Sequence, residues 1–109
     1  MTYSNLRDML EKYNWDDGFE IPQKIIDDKN CDLALALEVF YLADGTCYLD
    51  DPQCNPGLDV WKRFIAELYG RIVAGEFKKT EIAYKIPLSK VAIYKFRKKQ
   101  IPEVFLTDL

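Results

Sequence analysis

Apolar residues recur at helical spacing in most parts of the chain, and residues that favour turns separate these stretches. The first recurrence predicts an amphipathic helix over Ser4–Tyr13, capped at its start by Thr2 or Ser4. The next segment, Asn14–Glu20, interrupts the period, because Gly18 suits a positive φ and aspartates favour turns. We therefore expect a helix followed by a tight turn at the start of the chain.

Two more helices are expected next. Pro22 suits the first position of a short helix that ends near Asp28–Asn30. The run Leu33–Ala43 alternates leucine with alanine and so resembles a strand, but both residue types favour helices. Asp32 is a good N-cap for this run, and Asp44-Gly45 is a typical helix end. Because the run is apolar almost all round, it predicts the central buried helix.

The following region begins with a polar stretch that predicts a loop over Gly45–Gly57. The clearest amphipathic period in the chain lies over Leu58–Ile72, and Gly75 is the expected residue just beyond the end of that helix. The segment Lys78–Ile86 has no clear period and is compatible with extended structure.

A last helix is predicted over Leu88–Lys99, opened by Pro87. The tail Ile101–Leu109 is apolar enough to pack against the rest of the protein. Together these elements predict an all-α protein, with residues 1–109 forming a single domain of four to five helices. The side chains of the last helix that we expect to face inward are Val91, Ala92, Ile93 and Phe96.

The charge of the chain is unevenly distributed. The formal charge is −3 overall, but residues 1–59 carry thirteen acids and four bases, a net −9. Residues 60–109 carry five acids and eleven bases, a net +6. Unless the two halves interleave in space, the surface has an acidic face and a basic face, each suited to a partner of opposite charge.

The residue types present restrict the possible chemistry. The chain contains no histidine, so it lacks the commonest general base and the usual partner of a serine or cysteine nucleophile. Asp16, Asp17 and Glu20 lie close together but lack the spacing of a calcium-binding loop. The cysteines form no C-x-x-C pair of the kind found in zinc sites. We therefore expect no metal site and no cofactor.

The three cysteines, Cys31, Cys47 and Cys54, are expected to be reduced, because an odd number in a small chain does not make a disulfide framework. The start of the chain does not resemble a signal peptide, and no apolar run is long enough to cross a bilayer. These observations predict a cytoplasmic protein that does not contact a membrane.

Two further features have a functional and a structural interpretation. Glu38 is the only charged residue of the apolar run. It is either an acid–base group in a cleft or a structural carboxylate, which would lie at the solvent-exposed edge of the helix or bond to tyrosines. We favour the structural interpretation. The segment Lys90–Gln100 carries five bases interleaved with aromatics, which is compatible with phosphate binding. It matches no nucleic-acid motif, and lysines near a helix C-terminus also stabilise the helix dipole, so a nucleic-acid partner is disfavoured.

Over Asn14–Gly45 the chain carries Trp15-Asp16-Asp17-Gly18-Phe19, Pro22, Ile26, Asn30-Cys31-Asp32 and a predicted helix with Ala36, Phe40 and Ala43. On these residues, with weaker support from Ile93–Leu109, the chain resembles a bacterial family known only as domain of unknown function 4274. In size and acidity such proteins are similar to the immunity proteins encoded beside secreted polymorphic toxins, including contact-dependent growth inhibition systems. The resemblance implies a small, helical, non-enzymatic protein that neutralises a cognate toxin, and it supplies no catalytic residues.

An immunity role predicts an acidic surface that binds the C-terminal domain of the toxin, which is expected to be basic and to act as a nuclease. Acids at loops and helix ends are usually exposed, and Tyr48 offers an aromatic anchor beside them. Trp15 and Phe19 are instead expected to be core anchors. The alternatives are a cytoplasmic adaptor or regulatory binding module and a nucleic-acid binder that uses the basic last helix. The predicted toxin-binding residues are Asp16, Asp17, Glu20, Asp44, Tyr48, Asp50 and Asp51.

Overall fold

A computed structural model describes residues 2–53 and 59–109, apart from the side chain of Asp16, and these residues contain six α-helices and two short 3₁₀ helices. These residues contain no strand, so the all-α prediction is confirmed, although the helices outnumber the four to five expected. The 3₁₀ helices are Trp15–Asp17 and Glu103–Phe105. The α-helices are α1 (Tyr3–Lys12), α2 (Glu20–Asp27), α3 (Leu33–Leu42), α4 (Gly45–Asp50), α5 (Asp59–Val73) and α6 (Lys90–Lys98).

Several helix ends are formed as the sequence predicts. The Thr2 hydroxyl accepts a hydrogen bond from the Asn5 amide at 3.2 Å, so Thr2 is the cap of α1. The Asp32 carboxylate caps α3 by accepting from the Leu35 amide at 2.9 Å. Beyond the end of α5, Gly75 has a φ of +77°, which its missing side chain allows at little cost.

The turn between α1 and α2 is confirmed, with small differences in detail. Gly18 has a φ of +88°, as expected of the glycine in this turn. The helix α2 begins at Glu20 rather than at Pro22, so the proline lies in the first turn, where its missing N–H is still tolerated. Trp15 and Phe19 pack against the core but remain half-buried, which makes them weaker anchors than predicted.

The helix α4 replaces the first part of the loop expected over Gly45–Gly57. Asp44 itself takes the left-handed conformation that ends α3, with a φ of +62°. Gly45 is therefore the first residue of α4, and a Cβ atom there would collide with the Phe40 ring. Gly45 is required for this close approach of α4 to α3, not for a positive φ. Residues 54–57 of the predicted loop, and Leu58, lie outside the described part of the chain.

Contacts at both ends of α3 and α5 show that these helices are antiparallel. The Trp61 indole N–H donates to the carbonyl of Ala43 at 2.6 Å, and the Leu33 amide donates to the carbonyl of Lys78 at 2.8 Å. By contrast, α2 runs parallel to α5, because its successive turns meet successive turns of α5. The pairs in contact are Phe19 with Phe64, Gln23 with Glu67, and Asp27 with Arg71.

The core surrounds α3, as its apolar composition predicts, and the C-terminal tail completes it. Phe105 is fully buried, and its ring lies 4.9 Å from that of Phe40 and 5.0 Å from that of Tyr69. Tyr84 and Leu109 exchange a pair of backbone hydrogen bonds, at 2.9 and 3.3 Å. The docking of the tail is therefore confirmed, and the segment Lys78–Ile86 is irregular rather than helical.

The helix α6 is held to the core less extensively than the others. Ser89 caps it by accepting from the Ala92 amide at 3.1 Å, so the helix begins later than Leu88. Phe96 is its one buried residue. The prediction that Val91 faces inward is wrong, because this side chain is 62% exposed.

Candidate functional site

The start of α2, the start of α5 and the junction of α3 with α4 lie at the same end of the molecule. This follows from the parallel course of α2 and α5 and the antiparallel course of α3, and the Trp61–Ala43 hydrogen bond joins two of these points directly. The end carries four exposed carboxylate side chains, and we call it the acidic end. They are Asp17, Glu20, Asp44 and Asp59.

None of these four carboxylates forms a hydrogen bond or ion pair with another described residue. Glu20 and Asp59 lie in the first turns of α2 and α5, where the helix dipole favours negative charge. Lys12, at the end of α1, lies beside Asp17 and Glu20, and Lys62 and Arg63 lie near the start of α5, so the excess of negative charge at this end is small. The acidic end therefore has carboxylates that remain available to a partner.

Asp17 and Glu20 both lie near the side chain of Tyr13, in the space between α1 and α2. Burial raises the pKa of Tyr13, and the two carboxylates raise it further. The Tyr13 hydroxyl is buried and has no hydrogen-bond partner among the described residues. Its ring packs edge-on against Trp15 at 5.1 Å, which fixes the turn that carries Asp17.

A shallow groove of about 290 Å³ separates the first turns of α2 and α5, next to the acidic end. Phe19, Phe64 and Val60 provide its apolar surface, and Val60 is 57% exposed. We call it the α2–α5 groove. The sequence does not predict this groove, because Val60 lies outside the buried stripe of α5 and Phe19 is far from Val60 along the chain. Its polar rim consists of Glu20, Gln23, Arg63 and Glu67.

The predicted toxin-binding residues in and just after α4 differ in their exposure and in their hydrogen-bond and ion-pair partners. Tyr48 is half-buried, with its ring 5.2 Å from that of Tyr69, so only part of it is available to a partner. The Asp50 carboxylate lies 3.4 Å from the ammonium of Lys99, which also donates to the Asp50 carbonyl. Asp51 is exposed, and its carboxylate accepts from the amide of Gln53 at 2.9 Å.

The predicted site is therefore divided by the fold. The structure places Asp17, Glu20 and Asp44 at the acidic end, whereas Asp50 is already paired with a base from the opposite charge half. Asp16 belongs to the 3₁₀ helix of the α1–α2 turn, and its side chain is outside the described part of the protein.

Three acids near the ends of α2 and α5 are held by one arginine. Arg71 contacts Asp27 at 2.7 Å and Glu76 at 2.8 Å, and it also donates to the carbonyl of Ile26 at 3.0 Å. Glu67 lies 3.4 Å from the same guanidinium. These contacts join the end of α2 to the end of α5, so Asp27 has a structural partner and is a poor candidate for toxin binding.

Glu38 has a partner other than the tyrosines considered from the sequence. Its carboxylate forms an ion pair with the guanidinium of Arg7 on α1, beside a cleft of about 380 Å³ that Tyr3 and Tyr84 also line. The buried Asp32 carboxylate likewise has a second partner, the hydroxyl of Thr80 at 2.6 Å. Both carboxylates are therefore structural.

The cysteines differ from the expectation of three reduced thiols. Cys47 is disulfide-bonded, which corrects that expectation for α4 and removes the reduced cysteines as a ground for the cytoplasmic prediction. Cys31 is free and buried, and burial raises its pKa to about 12, with a further contribution from Asp32. A thiol with such a pKa is a poor nucleophile at neutral pH. Cys54 lies outside the described residues.

Neither a metal site nor a membrane span is found among the described residues. In residues 2–53 and 59–109, no three residues of the types Cys, Asp and Glu lie close enough together to hold a metal ion. Within the same ranges, no helix has both the length and the apolar character that a membrane crossing needs.

Comparison with known protein families defines the class of this protein. A family model described as "Domain of unknown function (DUF4274)" matches residues 3–73, which span α1 to α5 and include the acidic end and the α2–α5 groove. The chain belongs to this family, as the resemblance suggested. No curated protein and no solved structure matches it. The helix α6 lies beyond the matched residues.

Proposed function

We propose that this protein is a non-enzymatic immunity protein that resides in the cytoplasm and neutralises a cognate secreted toxin by binding its basic C-terminal domain. The surface proposed for this contact is the acidic end together with the α2–α5 groove. The observation that carries the proposal is the exposed apolar patch of Val60 beside carboxylates that have no partner in the described part of the fold.

This combination suits a cationic partner better than either feature would alone. Exposed apolar groups that become buried provide most of the affinity of an interface, whereas surrounding charges select the partner and raise the association rate. A lysine or arginine side chain of the toxin could lay its aliphatic stem on Val60 and Phe19 and direct its charge to Glu20. The active-site groove of a nuclease presents such side chains, because it binds phosphates.

The internal partners of the remaining polar groups support a binding role over catalysis. Asp32 and Glu38 are held by Thr80 and Arg7, and the Cys31 thiol is buried with a raised pKa. The chain has no histidine. The adaptor alternative is compatible with the same surface and differs from the immunity proposal in the identity of the partner.

The test measures binding of the full chain to the C-terminal domain of the toxin encoded beside it, in parallel with protection of cells from that toxin. Reversal of Asp17 and Glu20 to lysine should lower the association rate about tenfold or more at low salt. Val60→Ser should instead raise the dissociation rate. The matched control reverses Asp8 and Glu81, which are also exposed acids but lie outside the acidic end.

Three results would overturn the proposal. They are equal losses in the Asp17/Glu20 and control variants, an association rate that does not change with salt, and binding that leaves toxin activity intact. The last result would favour the adaptor alternative. Because Asp50 is paired with Lys99, its reversal is expected to affect binding less than reversal of Asp17 and Glu20.

A further inference from the structure

The helix α6 has an exposed face on which apolar and basic side chains alternate. Val91 and Tyr94 are 62% and 60% exposed, and the lysines next to them on this face are exposed as well. On an ideal helix, these positions fall within an arc of about 140°, opposite to Phe96. We call this face the α6 stripe. It consists of Lys90, Val91, Tyr94, Lys95 and Lys98.

The bases of α6 divide into two groups according to their partners. Arg97 contacts Glu103 through two hydrogen bonds, at 2.8 and 3.2 Å, and Lys99 is held by Asp50. Lys90, Lys95 and Lys98, which belong to the stripe, form no ion pair with a described residue. The stripe therefore keeps its positive charge, whereas the bases beside it are neutralised within the fold.

The surroundings of the stripe add to this charge. Residues 82–102 contain six bases and no acid. The ammonium of Lys98 lies 4.8 Å from the centre of the Tyr94 ring, which orients the ring and keeps the charge next to it. A cavity of about 210 Å³ opens beside Val91 and Lys95, and Ala92 and Phe96 give it an apolar wall that an apolar side chain could enter. Asp50 and Ser89 also line this cavity, and Lys99 neutralises the Asp50 carboxylate there.

We propose that the α6 stripe is a second docking surface, which binds an acidic, amphipathic segment of a partner protein. Val91 and Tyr94 would pack against the apolar side chains of that segment, and the three lysines would face its carboxylates. This surface is separate from the acidic end, and its proposed partner has the opposite charge.

A protein segment fits these observations better than a nucleic acid does. Val91, on the apolar part of the stripe, has no favourable contact to offer a phosphate backbone. Arginine is the side chain that binds phosphates and base edges in a bidentate manner, and Arg97 is already bound to Glu103 in that way.

The test uses the full chain labelled for NMR and a synthetic amphipathic peptide with leucine on one face and glutamate on the other. We expect saturable shifts of the amide signals of Val91, Tyr94 and Lys98. Two double variants, Val91→Ser/Tyr94→Ser and Lys95→Glu/Lys98→Glu, should each weaken binding about tenfold or more. The control Lys78→Glu/Lys79→Glu makes the same change of charge at exposed lysines outside the stripe and should bind the peptide normally.

Three outcomes would overturn the proposal. The first is no saturable binding of the acidic peptide at peptide concentrations up to about 1 mM. The second is tighter binding of a 20-nucleotide DNA that the serine variant retains, which would identify a phosphate-binding face. The third is concentration-dependent self-association that Lys95→Glu/Lys98→Glu abolishes, which would identify the acidic end of a second copy as the occupant. Circular dichroism of every variant checks that the fold is intact.

Discussion

The acidic end and the α6 stripe are surfaces of opposite charge that differ in how they are attached to the core. The acidic end is built on the starts of α2 and α5, next to the buried Trp61 and Phe64. The stripe lies on a helix with one buried residue, Phe96. Charges with a partner in the fold, such as Asp27 with Arg71 and Asp50 with Lys99, are not part of either surface. The unpaired charges therefore identify the two candidate binding surfaces better than the net charge of each half of the sequence does.

The largest difference between the two regions is expected when their anchors are removed. Trp61→Ala should lower the free energy of unfolding by about 3–5 kcal/mol, because it removes a buried aromatic side chain from the main core. Phe96→Ala should release α6 while the rest of the protein stays folded, because the other core contacts of α6, Ala92 and Ile93, are only half-buried. Urea unfolding measures the first effect, and amide hydrogen exchange measures the second.

The comparison fails if these two variants behave alike. Loss of exchange protection throughout the molecule in Phe96→Ala would mean that α6 is an integral part of the core. A Trp61→Ala variant that loses less than about 1 kcal/mol would mean that the acidic end is as weakly anchored as α6. Trp61→Phe is a useful intermediate, because it keeps an aromatic ring but loses the hydrogen bond to Ala43.

The sequence predicts the parts of this structure that depend on local interactions. Asp32, Gly18 and Gly75 lie where the sequence predicts a cap or a turn, and Thr2 is one of the two caps predicted for α1. Each depends on residues a few positions away, so the local pattern contains the necessary information. The helix α4 was missed because Gly45 is a glycine for a tertiary reason, its contact with Phe40, and a helix-ending glycine looks the same in sequence.

The candidate sites were predicted less well, because they depend on which charges meet across the fold. The exposure of Asp17 and Asp44 can be predicted, because aspartates at turns and helix ends usually face solvent. The pairing of Asp50 with Lys99 cannot be predicted in this way, because it joins residues 49 positions apart. The apolar run of Val91, Ala92 and Ile93 predicts that Val91 faces inward, but a continuous apolar run does not show which of its residues faces outward.

A smaller effect is expected at two left-handed residues, one in each region. Asp44 at the acidic end and Gln100 after α6 have φ values of 62° and 64°. Replacement of Gln100 by glycine should stabilise the protein by about 0.5–1 kcal/mol, because glycine adopts this conformation without strain. Asp44→Gly should gain less, because aspartate tolerates the left-handed region better than glutamine does. Thermal unfolding measures both, and a loss of stability in Gln100→Gly would contradict this account.

Asp44→Gly also separates stability from binding, because it removes one unpaired carboxylate from the acidic end without weakening the fold. If the acidic end binds the toxin, this variant should associate more slowly although it melts no earlier. Gln100→Gly carries no change of charge and is the matched control for that measurement.

The smallest effect near neutral pH concerns buried groups that lose a proton in alkali. Burial raises the pKa of Cys31 to about 12 and also raises the pKa of Tyr41 and Tyr84 above the ordinary value of 10.0. The unfolded chain releases these protons at lower pH than the folded protein does. Their contribution to stability is therefore complete below the ordinary cysteine value of 9.0 and is lost as the pH rises toward about 12.

We expect the melting temperature to fall steadily above pH 9, and to fall less steeply in Tyr41→Phe, which has one titrating group fewer. The hydroxyl of Tyr41 donates to the carbonyl of Phe105, so this variant is less stable at neutral pH, and the slope against pH rather than the absolute melting temperature is the measurement that counts. Tyr94→Phe is the control, because Tyr94 is 60% exposed on the α6 stripe and its replacement should leave the slope unchanged. Equal slopes in Tyr41→Phe and in the unmodified protein would show that Tyr41 does not contribute to the alkaline loss. An equal reduction of the slope in both variants would show that burial in the core is not its cause.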